Sequence, residues 1–575
     1  MADLIDTTID GPLHLKKGAT NGIQFPPNSF GGTGDTASIT LQNPAGGESQ
    51  ELTIEVTNDN ADIVNIKTPS ASGLKHNGNT VLTEVNSALA KPSVTYLSRS
   101  GHNSMAMVMD GELYTTAGNN AYYGNTTTGR NFEGHAGPFG VLKNFVKVSF
   151  PTDSPIKKVG GFFHTYAFAL MENGQLYTWG KNASGACGLG HTYAVAVPTL
   201  AETNVLDAYD HPSQGEYSVD YGRLFILKSD GLYAAGSNGQ GQCGIDATTN
   251  PVKTFTKCVF DQSYHPTPDD IIRVFPMGTS TGATFVLCAN KAIYACGYNA
   301  IGGIGMGTAG NTGYLRDLTS YWATGDTSKI IDIKVSGSSR YYTTEASNGL
   351  DHYTMLIKYN DGTAEVRTCG YNGQGQLGDG TTTNTASPVT PINLGSATPI
   401  DIADLGGGIS AVQVLMDNGD LYSWGRNHEF QVGSASGGDV ISTPILVTSN
   451  VKELMSDGMA AHLYGYRPQS IIKKSDNAIY SYGYDDNGMT MLGAGSMYYS
   501  YSNSNIRRVL LPKDDDNVTM LGHFCTYASN RTFLALTTKG NIYVWGYNGQ
   551  YSIESDNIYS NTLPVPITLP KYYVN

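Results

Sequence analysis

Histidine, cysteine and clustered acids are the residues of this chain whose types could support chemistry, and their spacing decides against it. His102, His164 and His352 each stand just upstream of an apolar stretch. None forms an HExxH motif or an i, i+4 pair on a convincing helix, the spacing that a helical zinc site requires. Cys187, Cys243, Cys258, Cys288, Cys296, Cys369 and Cys525 are odd in number and lack CxxC spacing, which argues against a disulfide framework and a zinc site. Asp485-Asp486-Asn487-Gly488 and Asp514-Asp515-Asp516-Asn517 offer oxygen ligands, yet neither follows the twelve-residue calcium loop with its closing Glu. Glycoside hydrolysis needs two carboxylates at a set separation, and none of the 49 Asp and Glu stands out by position. No GxSxG elbow, Walker loop or dinucleotide fingerprint is present. The residues point to a protein that is not an enzyme and takes no metal or cofactor.

Stepping from single residues to the elements that carry them exposes an internal repeat. From residue 100 onward an apolar strand, a Gly-containing turn and a strand ending in aromatic-Gly-x-Asn recur eight times. The repeat glycines are Gly118, Gly180, Gly236, Gly297, Gly370, Gly425, Gly483 and Gly546, spaced by 62, 56, 61, 73, 55, 58 and 63 residues. Text such as QLYTWGKN and DLYSWGRN alternates with period two, as a half-buried strand does. Asp110-Gly111, Asn173-Gly174, Asp230-Gly231, Asp361-Gly362, Asn418-Gly419 and Lys539-Gly540 read as two-residue hairpin turns. The Asn two places past the glycine (Asn120, Asn182, Asn238, Asn299, Asn372, Asn427 and Asn548, with Asp485 as the variant) tolerates the left-handed region and suits an Asx turn. One place before the glycine stand Trp179, Ala235, Cys296, Cys369, Trp424, Tyr482 and Trp545. Seven places after it stand Cys187, Cys243, Ile304, Leu377, Val432 and Ile553. Four cysteines thus occupy slots that other copies fill with apolar residues, which assigns them to packing.

Composition agrees with an all-β chain. Of 575 residues, 69 are Gly and 37 are Tyr, and the charged fraction is only 15% against roughly 25% in ordinary domains. The net charge of −14 without any basic run excludes the cationic footprint that nucleic acid demands. No 18-residue apolar run offers a membrane span. The opening Met1-Ala-Asp-Leu-Ile-Asp lacks a secretory signal, so synthesis and folding in a cytosol are expected.

The segments GxxHT…AL…NGQLYTWGKNASGACGLG (161–190) and NGQGQLGDGTTTN (372–384) resemble regulator-of-chromosome-condensation repeats. The resemblance covers roughly residues 93–575. It implies a closed β-propeller with four-stranded blades, usually seven, whereas eight motif copies leave seven or eight open. It further implies that His102, His164 and His352 are structural, bonding within a blade. The longer interval between the fourth and fifth copies suggests an exposed insertion around 308–345. The final strands, PVPITLPKYYVN, are expected to close the ring near its start, since closure removes open edges. The family includes a nucleotide-exchange factor that binds chromatin and a bacterial β-lactamase inhibitor. The acidic charge counts against chromatin, and no exchange element is identifiable.

Residues 1–92 lack the repeat. ASITLQN (37–43) and ELTIEVTN (51–58) read as a hairpin. GLKHNGNTVLTEVN resembles a segment of bacteriophage tail-fibre and other virion proteins. This resemblance implies a virion structural protein, a tail fibre, appendage or decoration, made in a bacterial cytoplasm. Residues 1–92 would attach to other virion proteins, a symmetric homo-oligomer is expected, and the propeller at 93–575 would present a host receptor-binding or protein-interaction module. The alternative is a cytoplasmic or secreted propeller scaffold or inhibitor. Recognition of a host protein or glycan is expected in loops on the rigid ring. Aromatic-rich stretches are the candidates: Tyr122, Tyr123, Tyr341, Tyr342, Tyr498, Tyr499 and Tyr501.

Overall fold

Short apolar strands separated by Gly turns cannot bury both faces alone, so they must stack as sheets. In the computed structural model they form eight four-stranded antiparallel sheets, each built from four consecutive strands. The structure describes residues 36–41, 50–56, 64–67, 74–76 and 79–82, and from residue 93 onward all but 98–105, 118–141, 162–165, 211–221, 262–263, 279–281, 339–350, 406–410, 429, 435–438, 456–468, 485–501, 526–530, 548–559 and 568–575. Contacts divide the chain into two units, Met1–Ser93 and Val94–Asn575.

In the second unit, blade 1 runs from strand Val94–Leu97 to Leu142–Lys147 and blade 2 from Ile156–Gly160 to Val195–Glu202. Blades 3 and 4 run from Val205–Tyr209 to Val252–Lys257 and from Ile271–Met277 to Thr312–Asp317. Blades 5 and 6 run from Ile330–Ser338 to Thr385–Val389 and from Pro399–Asp404 to Val440–Thr448. Blades 7 and 8 run from Val451–Leu454 to Ser502–Arg508 and from Val518–Cys525 to Ser560–Pro566. Eight is therefore the blade number. The second and third strands are buried on both faces, as in Ala167–Met171 and Leu176–Gly180. The first strands of neighbouring blades approach one another, which places them innermost.

The meander order sorts the connections onto two rims. First-to-second and third-to-fourth connections share one end of the ring, here the loop rim; second-to-third turns and blade-to-blade connections share the other, the turn rim.

Of the terminal segment PVPITLPKYYVN, residues 568–575 lie outside the described residues. Strand Ser560–Pro566 completes blade 8, pairing with Ile542–Tyr547, and Val565 and Ile567 pack against the seam between blades 8 and 1. The ring closes by packing faces: Leu97, Met107, Met109 and Tyr114 of blade 1 meet Leu534, Leu536, Ile542 and Val544 of blade 8 in one cluster. Residues 308–338 of the expected insertion around 308–345 are not an exposed loop, and 339–345 lie outside the described residues. Thr312–Asp317 is the regular outer strand of blade 4, and the short helix Thr319–Trp322 after it buries Trp322 completely. Trp322 Nε1 donates to Ile304 O at 2.9 Å and the ring stands edge-on to Phe285.

Most Gly turns are also longer than two residues. Met171 N donates to Gln175 O while Gly174 N donates to Met171 O, a three-residue turn whose glycine takes φ +80°. The turns at Gly362, Gly419 and Gly540 have the same two bonds. A type I turn followed by a left-handed residue has the twist that this loop length requires, and glycine carries no Cβ penalty there.

In the first unit, strands Thr36–Leu41, Gln50–Val56 and Val64–Lys67 form an antiparallel sheet, with Ile39 opposite Leu52 and Ile54 opposite Ile66. Leu74–His76 pairs with Asn79–Leu82 across Asn77-Gly78. Among the described residues no helix is long and apolar enough to cross a membrane.

Candidate functional site

The repeat Asn builds the loop rim. Asn238 Oδ1 accepts from Cys243 N at 2.9 Å, while its Nδ2 donates to Ala247 O at 3.0 Å and Thr249 O at 3.1 Å. Asn182 makes the same fork to Cys187 N, His191 O and Tyr193 O. Asn299 repeats it with Ile304 N, Thr308 O and Gly310 O. Asn372 and Asn427 accept from Leu377 N and Val432 N. Each of these side chains ties the start, middle and end of a third-to-fourth loop, so the loop is rigid without a strand ladder. Among the described repeat Asn, only Asn182 takes a positive φ, +55°. The conserved chemistry of this position is thus the amide fork rather than left-handed backbone, a role that reading the Asn as a local turn residue missed.

Four of these five loops are then stitched to the next blade. Gly190 N donates to Lys253 O, Asp246 N to Gly313 O, Gly307 N to Ala386 O and Gly380 N to Ser442 O, at 2.8–2.9 Å. The residue before the repeat glycine of the next blade seats the loop: Trp424 Nε1 donates to Gln376 O at 2.9 Å, and Cys369 Sγ lies 3.2 Å from Gly302 O. Trp179, Ala235, Cys296, Cys369, Trp424, Tyr482 and Trp545 are all 0% exposed. So are Cys187, Cys243, Ile304, Leu377 and Val432. Burial pushes the Cys243 and Cys369 thiols up to about 12, which removes the thiolate that reactivity requires.

The repeat glycine sits where strands cross closely. Gly180, Gly236, Gly297, Gly370, Gly425, Gly483 and Gly546 have φ between +105° and +121°. A Cβ on Gly236 would stand 2.2 Å from Gly222 O. Gly118 lies outside the described residues.

Near the same rim, buried polar groups clasp neighbouring blades. Tyr166 of blade 2 donates to Arg223 O of blade 3 at 2.6 Å, and Arg223 donates to Met277 O and Gly278 O of blade 4 at 2.6 and 3.0 Å. His352 Nε2 of blade 5 lies 2.7 Å from Asp404 Oδ2 of blade 6, with both side chains buried. Gln413 of blade 6 bonds Ser470 at 2.8 Å and also Tyr482 of blade 7. Nearer the turn rim, Lys158–Asp207, Arg273–Asp332 and Lys334–Asp401 pair across blades at 3.0, 3.0 and 2.7 Å. These groups hold blade to blade, and no constellation for proton transfer to a ligand emerges from them. His102 and His164 lie outside the described residues.

Of the two acidic runs, Asp485–Gly488 lies outside the described residues. In the other, Asp514 pairs with Lys539, Asp515 accepts from Asn541 and Tyr543, and Asp516 pairs with Arg508. These carboxylates serve protein partners. Among the described residues no group of three or more His, Cys, Asp or Glu converges as a metal site would.

The candidate tyrosines, Tyr122, Tyr123, Tyr341, Tyr342, Tyr498, Tyr499 and Tyr501, lie outside the described residues. On the loop rim the structure shows a residue that the sequence reading passed over. Tyr193 is 77% exposed, yet its carbonyl accepts from Asn182 and its N–H donates to His191 Nδ1 at 3.2 Å. An aromatic ring on a fixed backbone suits recognition, because little freedom is lost on binding. The equivalent places in blades 3 to 5 hold Thr249, Gly310 and Thr383, and that contrast was the available signal.

Fold, fork and stitch together define an eight-bladed propeller built from one recurring blade motif. Residues 173–207, from the blade 2 turn to the start of blade 3, match the family model for the Regulator of chromosome condensation (RCC1) repeat. The chain is similar to the X-linked retinitis pigmentosa GTPase regulator of Mus musculus, 30% identical over 30% of this chain and 16% of that protein. It is also similar to the RCC1 domain-containing protein RUG3, mitochondrial, of Arabidopsis thaliana, 25% identical over 50% of this chain and 58% of that protein. The matches thus span less than two thirds of either relative. Human WBSCR16 is a similar solved structure, with a TM-score of 0.46 and 17% identity, covering 69% of this chain and 95% of that one.

Proposed function

We propose that the propeller is a non-catalytic platform whose loop rim binds a protein or glycan partner, with Tyr193 as a central contact. The observation that carries this reading is the exposed Tyr193 ring on a backbone held by Asn182. Buried polar pairs bind blades together, which supports a rigid scaffold over a reaction centre. The setting we propose is a virion, with residues 1–92 attaching the chain to other virion proteins and the propeller meeting the host surface. GLKHNGNTVLTEVN, with its resemblance to tail-fibre segments, supports that setting.

Quantitative mass spectrometry of purified particles tests it. Stoichiometric presence of the chain is expected, and Tyr193→Ala should slow adsorption of particles to host cells without lowering the protein's melting temperature. Absence from particles while the protein is abundant in lysate would overturn the virion setting. The partial similarity to a GTPase regulator favours a second reading, a cellular regulatory propeller. In that case the same Tyr193→Ala substitution should weaken a soluble complex.

A further inference from the structure

On the turn rim, away from Tyr193, a cleft of about 350 Å³ opens between the Asp110-Gly111 turn of blade 1 and the connection 148–155 to blade 2. Its size lies at the low end of small-molecule sites, enough for one or two sugar rings.

The cleft exists for a local reason. In blade 3, Lys257 lies across Gly231, its Cε 3.0 Å from where a Cβ would stand, and pairs with Asp230 of the turn. The bond from Val148 N to Leu113 O matches that from Cys258 N to Leu232 O, so Lys147 corresponds to Lys257 and Glu112 to Gly231. Glu112 holds Lys147 at 2.5 Å and also accepts from Tyr114 OH at 3.3 Å. Lys147 is therefore kept on the strand, and above Gly111 the nearest atom to a would-be Cβ is Pro155 Cβ at 3.9 Å.

The lining is amphiphilic. Phe150 and Pro155 supply apolar surface, and Ser149 and Asp153 supply exposed polar groups. Phe150 is fixed edge-on to Tyr177 and Trp179 at 5.7 and 5.9 Å. Asp153 has no hydrogen bond or ion pair among the described residues, so its oxygens are open to a ligand's hydroxyl pair. Asp110, Glu112 and Asp153 outweigh Lys147, which disfavours an anionic ligand. Carboxylate and hydroxyl beside C–H-binding surface is the chemistry that grips a pyranose ring.

We propose that this cleft binds a neutral hexopyranose unit, separately from the loop-rim partner. The test is saturation-transfer NMR of the full chain with maltose, lactose, mannobiose and chitobiose at millimolar concentration, with 3′-sialyllactose as the anionic comparison. At least one neutral disaccharide should bind, and Asp153→Ala should weaken it at least tenfold. Ser149→Trp, which fills the opening, should abolish binding while leaving the melting temperature unchanged. Tyr193→Ala, on the other rim, should bind the sugar as the parent does, so failure of the loop-rim reading leaves this result intact. The proposal is overturned if no neutral sugar binds, if sialyllactose binds as well as lactose, or if both cleft variants bind normally.

Discussion

Asn238 makes three hydrogen bonds with one side chain, and its partners Cys243 N, Ala247 O and Thr249 O hold a single loop. Asn238→Ala leaves the buried Cys243 N–H without its acceptor, a loss of about 1–3 kcal/mol. Urea unfolding should show this loss, and Asn238→Asp, which keeps the acceptor but turns a carboxylate oxygen on Ala247 O and Thr249 O, should lose at least as much. Gly236→Ala faces two obstacles, a positive φ and a Cβ 2.2 Å from Gly222 O, so it should be the more damaging of the two. Buried thiols give a further check. With Cys243 raised to about 12, the thiolate fraction at pH 8 is on the order of one in ten thousand. Alkylation of Cys187, Cys243, Cys258, Cys288, Cys296 and Cys369 in the folded protein should be undetectable, and labelling should track unfolding.

At the scale of elements, the blade junction is the unit that matters. His352 and Asp404 join blades 5 and 6 in a buried pair. His352→Leu takes one hydrogen-bond partner from the buried Asp404 and should cost about 1–3 kcal/mol. The double variant His352→Leu/Asp404→Leu should recover much of that loss, and a thermal double-mutant cycle measures the difference. Additive losses would show that the two side chains act independently. The repeat text foretold strands, turns and the packing slots around each glycine. It did not reveal the clasps, because Tyr166, Arg223, His352 and Gln413 are different residue types at related places, and their partners lie 52 to 69 positions away.

For the whole molecule, the seam between first and last blades carries ring closure. Met107 and Leu534 pack there, with Val565 and Ile567 of the terminal segment against the same cluster. Met107→Ala should cost about 2–5 kcal/mol and raise hydrogen exchange in blades 1 and 8 before the others. Uniform exchange around the ring would mean that the seam is no weaker than any other junction. Eight copies of the strand-Gly-x-Asn phrase, one with Asp for Asn, determined an all-β repeat chain from the sequence, because period-two alternation and turn glycines are local properties that survive without a structure. The family resemblance carried by the same residues implied the propeller. The chain alone also decided that cysteines in apolar slots pack rather than react. Tertiary structure decided the blade-to-blade clasps and the face packing between blades 1 and 8. It also decided the exposure of Tyr193 and the cleft beside Gly111. Each of those depends on which distant residues meet once the ring has formed, and a pattern that repeats every blade carries no information about how blades meet.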